Sequence, residues 1–404
     1  MQNGARYQAI LEILTEVFED KIPADKIIND YVRNRSYIGS KDRRFIVDFV
    51  WRIIRSRLKL SFDVRSDEPR LVLLYALRDK LEEVFDGSTY GMTPLTDEEK
   101  AALSEENEEP YPDYVEAECP EWLFSKIKDM AFCKALNEPA TTDLRAHGIS
   151  REELRQKLLR EGIETSFGRY APQCLQMNER LVLNNCMAWQ DGLFDVQGEA
   201  SQIAVRLAEI CPEHKIIDYC CGAGGKSLAM SDILHNQGHI LAYDIDSKRL
   251  EALKPRMARL KVKDIELTDI IADSDKEFDR FILDAPCSGS GTWRRAPDAK
   301  FRLTESKLKN LTRTQAELLE IAARKTKSGG RIVYMTCSVL RDENESIIEA
   351  FVRKYPQFKP VNLKNIWAKT ILGAYPCGSD QYLRLSPQTT GTDGFFVCIL
   401  ENRL

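Results

Sequence analysis

Three short stretches of this chain carry the residue types from which covalent and cofactor chemistry are built. They are Asp218-Tyr219-Cys220-Cys221-Gly222-Ala223-Gly224-Gly225-Lys226-Ser227, Asp284-Ala285-Pro286-Cys287-Ser288-Gly289-Ser290-Gly291-Thr292-Trp293-Arg294-Arg295, and Tyr334-Met335-Thr336-Cys337-Ser338-Val339. A glycine-rich turn opening a helix lets backbone approach a ligand closely and aims free helix-start N–H groups at it. This turn is neither the dinucleotide fingerprint, because Ser227 holds the third glycine position, nor a P-loop, whose Gly-Lys-Ser follows four residues after an earlier glycine. Asp244, about twenty residues on, can accept both hydroxyls of a ribose. Together they suggest a nucleoside-containing cofactor such as S-adenosylmethionine; the competing reading is a turn serving only strand–helix packing. A lone cysteine ending a strand usually packs as a small hydrophobe. Two of them, Cys287 and Cys337, with Asp284 beside the first, point instead to covalent chemistry.

The elements around these stretches must bring them together. From Gln202 onward strands and helices alternate. Strands are expected at 215–219, 240–244, 265–268, 278–284, 331–336 and 395–400, with helices at 226–234, 248–260, 306–325 and 344–353. That alternation implies an α/β fold with a doubly wound, mainly parallel sheet, whose ligands bind at the carboxyl ends of the strands. All three stretches follow strands, so all three fall on one rim. Upstream, apolar residues recur at helical spacing from Tyr7 to about Leu60 and again from Arg70 to Val84. Between these and the sheet lies a small α+β module: a strand from Thr141 to Arg145, a helix from Arg151 introduced by Ser150 and Glu153 as a capping box, and an end near Asp195 to Gln197. The organisation expected is 1–135 helical, 136–198 α+β, and 199–404 α/β.

Composition narrows the setting. A chain of 404 residues with 43% hydrophobic and 30% charged residues is neither disordered nor collagenous and is long enough for several domains. No run reaches the roughly 18 apolar residues that span a bilayer, and the first ten residues lack a signal peptide's apolar stretch, so a cytoplasmic protein without a membrane partner is expected. Eleven cysteines, scattered except for Cys220-Cys221, read as reduced thiols. Four histidines and no Cys-x-x-Cys or His-Glu-x-x-His spacing argue against a metal site. The net charge of −5 hides an asymmetry: from Asp97 to Glu121 there are eleven acidic residues and one basic, leaving the rest at +5. That window reads as a surface excursion or linker. Lys248 to Lys263, with seven basic residues and one acidic, offers either a positive face to phosphates or simply solvated helix faces.

The three motifs, in this order and spacing and with Leu385-Ser386-Pro387-Gln388-Thr389-Thr390-Gly391-Thr392-Asp393-Gly394-Phe395-Phe396 near the end, resemble the RsmB/Sun family of RNA cytosine-5 methyltransferases over roughly residues 140–404. The N-terminal helices, including Tyr37-Ile38-Gly39-Ser40-Lys41-Asp42-Arg43-Arg44, resemble a NusB-like RNA-binding domain. Ala223 stands where the family usually carries proline, and Gln388 where it often carries histidine. The resemblance implies a Rossmann-like class I methyltransferase domain. It implies transfer of a methyl group from S-adenosylmethionine to carbon 5 of a cytosine in RNA, most plausibly ribosomal RNA, by a monomer. Carbon 5 becomes nucleophilic only once a thiolate has added to carbon 6. On the resemblance Cys337 is that nucleophile, Cys287 takes part in release, Asp284 contacts ring nitrogen 3, and Lys226 steadies the thiolate or the polarised base. The cofactor residues carried over are Cys220, Cys221, Gly222, Ala223, Gly224, Gly225 and Lys226, with Asp244 on the ribose, Asp269 or else Asp273 on the adenine, and Asp284. For Asp284 to donate a proton, burial would have to raise its pKa. The target base must leave its stack, with Trp293 either stacking on a neighbour or packing in the core, and Arg294 and Arg295 candidates to hold phosphates. The alternatives are a transfer-RNA cytosine-5 methyltransferase and a non-catalytic RNA-binding ribosome assembly factor.

Overall fold

A computed structural model describes residues 1–105, 107–178, 183–270 and 277–404. They divide into two units: Met1–Glu138 together with Thr292–Thr304, and Pro139–Gly291 together with Glu305–Leu404.

The first unit is built from helices, as the apolar spacing required. Helix Asn3–Val17 buries Tyr7, Ile10, Ile13, Leu14 and Val17, and helix Ser40–Arg55 buries Ile46, Phe49, Val50, Ile53 and Ile54. Tyr7 meets Phe45 and Phe49 edge-on, with ring centroids 5.8 and 5.7 Å apart. Each fully buried side chain of this size contributes about 1.5–3 kcal/mol. Of the two readings of the acidic window, the surface excursion holds for Asp97–Ser104, which buries no residue, while the end of the window is packed rather than a linker. Thr96 and Glu99 form a capping box on helix Asp97–Ser104, and Glu99 pairs with Arg70 at 2.6 Å. Val115, Ala117 and Cys119 are buried, and the Glu118 carboxylate accepts the Leu58 and Lys59 N–H groups, each at 3.0 Å, at the start of helix Arg57–Asp63. A charge count cannot register the apolar residues that alternate with these acids.

The segment Thr292–Thr304 completes this unit. Lys300, buried to 2% exposure, donates to the Glu118 carbonyl at 2.5 Å and to Asn137 Oδ1 at 2.9 Å. Asp298 accepts the Ala24 N–H at 3.1 Å, and Arg55 donates to the carbonyls of Asn137 and Arg294.

The second unit holds twelve strands among the described residues: β1 Thr142–Ala146, β2 Ser166–Phe167, β3 Cys174–Met177, β4 Phe194–Val196, β5 Lys215–Tyr219, β6 His239–Tyr243, β7 Ile265–Thr268, β8 Phe278–Asp284, β9 Thr326–Thr336, β10 Phe358–Pro360, β11 Tyr382–Leu385 and β12 Phe395–Asn402. β1 to β4 form an antiparallel sheet in the order β2-β3-β1-β4. The large sheet runs β10-β12-β9-β8-β5-β6-β7, with β11 on β12. β7, β6, β5, β8 and β9 are parallel, and β10, β11 and β9 pair antiparallel to β12. This is the expected Rossmann-like α/β arrangement. β10 and β11, too short to carry periodicity, are the additions. Two aspartates lash the small sheet to the large one's helices. Asp232 accepts from Arg145, Gln173 and the Gly148 N–H, and Asp195 pairs with Arg256 at 2.5 Å and Arg259 at 2.8 Å. Two cations of the basic run are therefore engaged internally rather than offered to phosphates.

Candidate active site

The glycine turn is shaped by backbone that only small residues tolerate. Gly222 and Gly224 have φ of +57° and +74°, and Cys220 shares the left-handed region at +69°. A Cβ on Gly224 would lie 2.4 Å from the Leu253 side chain, whereas the same position on Gly222 opens on empty space, the room a ligand needs. Asp244 is bound to this turn, since its carboxylate accepts the Gly222 N–H at 2.8 Å and the Asp246 N–H at 2.9 Å. Arg256 donates to the Ala223 carbonyl, an external brace at the position where the resembled family has proline. Burial pushes the Asp218 carboxyl up to about 6 against the opposing hydrogen bond from Ser227, and its Oδ1 lacks a protein partner. Two large apolar side chains that sequence reasoning passed over stand open on the same rim: Ile245, 88% exposed beyond β6, and Ile270, 75% exposed beyond β7. Their only signal was an isoleucine directly after each strand-end aspartate. Asp269 is exposed on that rim, and Asp273 lies outside the described residues. Open space at Gly222, a strand-end carboxylate and flanking apolar surface fit a nucleoside cofactor such as S-adenosylmethionine.

The two cysteine motifs meet because β8 and β9 are adjacent and in register, with Asp284 opposite Met335. The Ala285 N–H donates to the Met335 carbonyl at 3.0 Å and the Gly291 N–H to the Cys337 carbonyl at 2.9 Å. Between these anchors Cys287 Sγ and Cys337 Sγ lie 3.4 Å apart. Its contact with Cys337 and burial push the Cys287 thiol well above the usual range. Lys226 Nζ sits 2.5 Å from Asp284 Oδ2. Burial works against the lysine's charge, but Asp284, then Asp218 and Cys337, outweigh it and raise its pKa. The glycine-containing motif near the end of the chain closes the site from behind. Gly394 N–H donates to the Gly291 carbonyl at 2.8 Å, and a Cβ on Gly291 would fall 2.0 Å from the Gly394 oxygen, so neither backbone could carry a side chain here.

Cys337, Cys287, Asp284 and Lys226 thus share one rim with Cys220–Lys226 and Asp244. Trp293 does not join them. It is 2% exposed and belongs to the helical unit, because the chain leaves the rim after Gly291. Sequence reasoning also missed Glu343, buried directly behind the cysteines; its signal was a second cluster of charged residues, 341–345, just after Cys337. In the helical unit, Lys41, Arg44, Arg52, Phe45 and Phe49 line a groove of about 640 Å³, with Arg52 stacked 4.0 Å over the Phe49 ring.

Comparison with known proteins places these features in a family. Residues 205–401 match the family described as 16S rRNA methyltransferase RsmB/F. A Pseudomonas syringae pv. tomato protein named ribosomal RNA small subunit methyltransferase B is 30% identical over 295 residues, which are 69% of this chain and 64% of that protein; the match thus spans just under two thirds of the relative's length. Among solved structures, PH0851 superposes with a TM-score of 0.77 at 22% identity over 98% of both chains. NSun6 from Pyrococcus horikoshii, solved with SFG, superposes with 0.61 at 21% identity over 70% of this chain and 96% of its own. The solved structures establish the fold, and residues 205–401, nearly the whole strand–helix domain, match the RsmB/F methyltransferase family.

Proposed function

We propose that the protein transfers a methyl group from S-adenosylmethionine to carbon 5 of a cytosine in ribosomal RNA. The observation that carries this reading is the contact of Cys287 and Cys337 at 3.4 Å, beside the Lys226–Asp284 pair and on the rim of the glycine turn. The name of the Pseudomonas relative supports a ribosomal substrate, and the SFG held by NSun6 supports a cofactor site on this fold.

Cys337 adds through sulfur to carbon 6 of an extruded cytosine while the Lys226–Asp284 pair offers a hydrogen bond at ring nitrogen 3, which turns the ring into an enamine nucleophilic at carbon 5. Lys226, held as an ammonium by its contact with Asp284 Oδ2 at 2.5 Å, is the donor of the pair. Cys220–Lys226, Asp244 and Asp269 would hold S-adenosylmethionine, with Ile245 and Ile270 as the apolar surface beside that site, and the bound cofactor would supply the methyl group. Release breaks the carbon 5–hydrogen and carbon 6–sulfur bonds, with Cys337 leaving as thiolate; Cys287 takes part as the base that receives the carbon 5 proton, in its thiolate form after its own proton has passed to water. Lys41, Arg44 and Arg52 contribute phosphate contacts in the helical unit. Bisulfite sequencing of ribosomal RNA from cells with and without the gene tests the assignment. One cytosine that loses protection in the deletion strain is expected, and an unchanged ribosomal profile would sink the ribosomal substrate.

A further inference from the structure

The carboxylate of Glu343 lies fully buried behind the cysteines, and it is bonded to the residue that follows each of them. Ser288 Oγ and Ser338 Oγ both donate to Oε2 at 2.5 Å. The Ser288 N–H donates to Oε1 at 2.8 Å, and Gln315 donates to the same oxygen at 3.0 Å. Gln315 in turn holds the Pro286 carbonyl at 2.9 Å, so the residues before and after Cys287 are both fixed. On the other side, Asn344 donates to the Ser338 carbonyl at 2.9 Å and accepts from Thr336 at 2.6 Å, bracketing Cys337 in the same way. Tyr334 holds the Glu343 carbonyl at 2.6 Å.

All four donors to the Glu343 carboxylate are neutral groups. A buried carboxylate is costly, and nonpolar packing would serve a core better. What the carboxylate offers is four acceptor sites on two oxygens with no proton of its own, which lets it take a hydroxyl from each cysteine loop at one oxygen. It therefore ties the loop after β8 to the loop after β9 at the level of the two sulfurs. The geometry points to Glu343 as the positioning residue that sets the spacing of Cys287 and Cys337. This rests on the two-cysteine reading above. Under that reading the spacing matters, because one sulfur must reach carbon 6 and the other the proton on carbon 5 of the same ring, and a misplacement of an ångström can cost about 100-fold in rate. Glu343 itself touches neither base nor cofactor.

A probe of spacing that needs no RNA separates the two ideas. Phenylarsine oxide condenses with two adjacent thiols: two arsenic–sulfur bonds form, the oxygen leaves as water with both thiol protons, and nothing is oxidised. The full-length protein is titrated with it, Cys287→Ala giving the background from the remaining thiols. Glu343→Ala is expected to weaken arsenical bridging at least about tenfold and to lower kcat on unmodified ribosomal RNA transcripts by a similar factor, with KM for S-adenosylmethionine within about twofold. Glu343→Gln keeps the side-chain shape and lets the serine hydroxyls rotate to new partners, so it should restore bridging to within about threefold of wild type. If Glu343→Ala loses cofactor binding and hence its fold, Ser288→Ala and Ser338→Ala each cut one tie and should each weaken bridging. Wild-type arsenical affinity in all of these variants overturns the inference. Weakened bridging alongside a wild-type enzyme that methylates no RNA would uphold the positioning role and overturn the methyltransferase reading instead.

Discussion

Cys287 and Cys337 are 50 residues apart in the chain, yet their sulfurs touch at 3.4 Å, and their surroundings differ: Lys226 is electrostatically coupled to Cys337, while Glu343 lies close to Cys287. That asymmetry predicts different failures. Cys337→Ala should abolish methyl transfer while leaving S-adenosylmethionine binding intact. Cys287→Ala should allow addition and methylation but not release, so that a denaturation-resistant protein–RNA adduct accumulates on a gel. An adduct in Cys337→Ala, or none in Cys287→Ala under turnover, would reverse or remove these roles.

Asp244 serves two purposes, holding the Gly222 N–H and presenting a carboxylate to the ribose. A hydrogen bond to a charged group is worth about 1.5–3 kcal/mol, which is roughly one to two orders of magnitude in affinity. Asp244→Ala should lower cofactor affinity by that amount in calorimetry, with the enthalpy reduced as the turn loosens. Unchanged affinity would place the cofactor elsewhere.

Glu118 gives the helical unit a pH signature. Burial raises its carboxyl to about 7 against the lowering influence of Lys300 and the two backbone donors. The folded state therefore holds a proton that the unfolded chain has already lost between the ordinary carboxyl range and about 7. Across that window stability should fall as pH rises. The rise corresponds to on the order of 2 kcal/mol, read as a decline in the unit's melting temperature from pH 5 to 7. Glu118→Gln should flatten the decline, and an equal slope in this variant would assign the effect to other groups.

A chain beginning near Pro139 keeps the strands and the rim residues but not the helical surroundings of Thr292–Thr304. Without the first 138 residues, Lys300 loses both the Glu118 carbonyl and Asn137, and the Arg294 carbonyl loses Arg55. Trypsin should cut such a protein rapidly at Arg294, Arg295 or Lys300 while leaving the full-length protein intact there. Equal resistance of the two would show that the segment folds without its helical surroundings.

The parallel core and its active rim were legible because β5 to β9 alternate with helices of ordinary length, and because Cys287, Cys337 and the glycine turn each follow a strand. What stayed hidden depends on partners distant in sequence. The packing of the acidic window rests on Leu58, Lys59 and Lys300 meeting Glu118. The burial of Trp293 rests on the chain changing units at Gly291, which no local pattern records. Glu343 escaped notice because a carboxylate in a charged turn looks solvated until the serines from two loops are seen to converge on it.

The excursion Thr292–Thr304 also bears on the order of events during synthesis. An N-terminal unit ordinarily folds as soon as it clears the ribosome. Here the last piece of the first unit emerges only after residues 139–291 have been made, a wait of roughly 8–30 s at about 5–20 residues per second. Until then the place for the Lys300 ammonium is held open, and the Asn137 and Glu118 oxygens that it will bind face water. The helical unit cannot close before the first part of the sheet unit has been made, and the sheet unit in turn waits for residues 305–404.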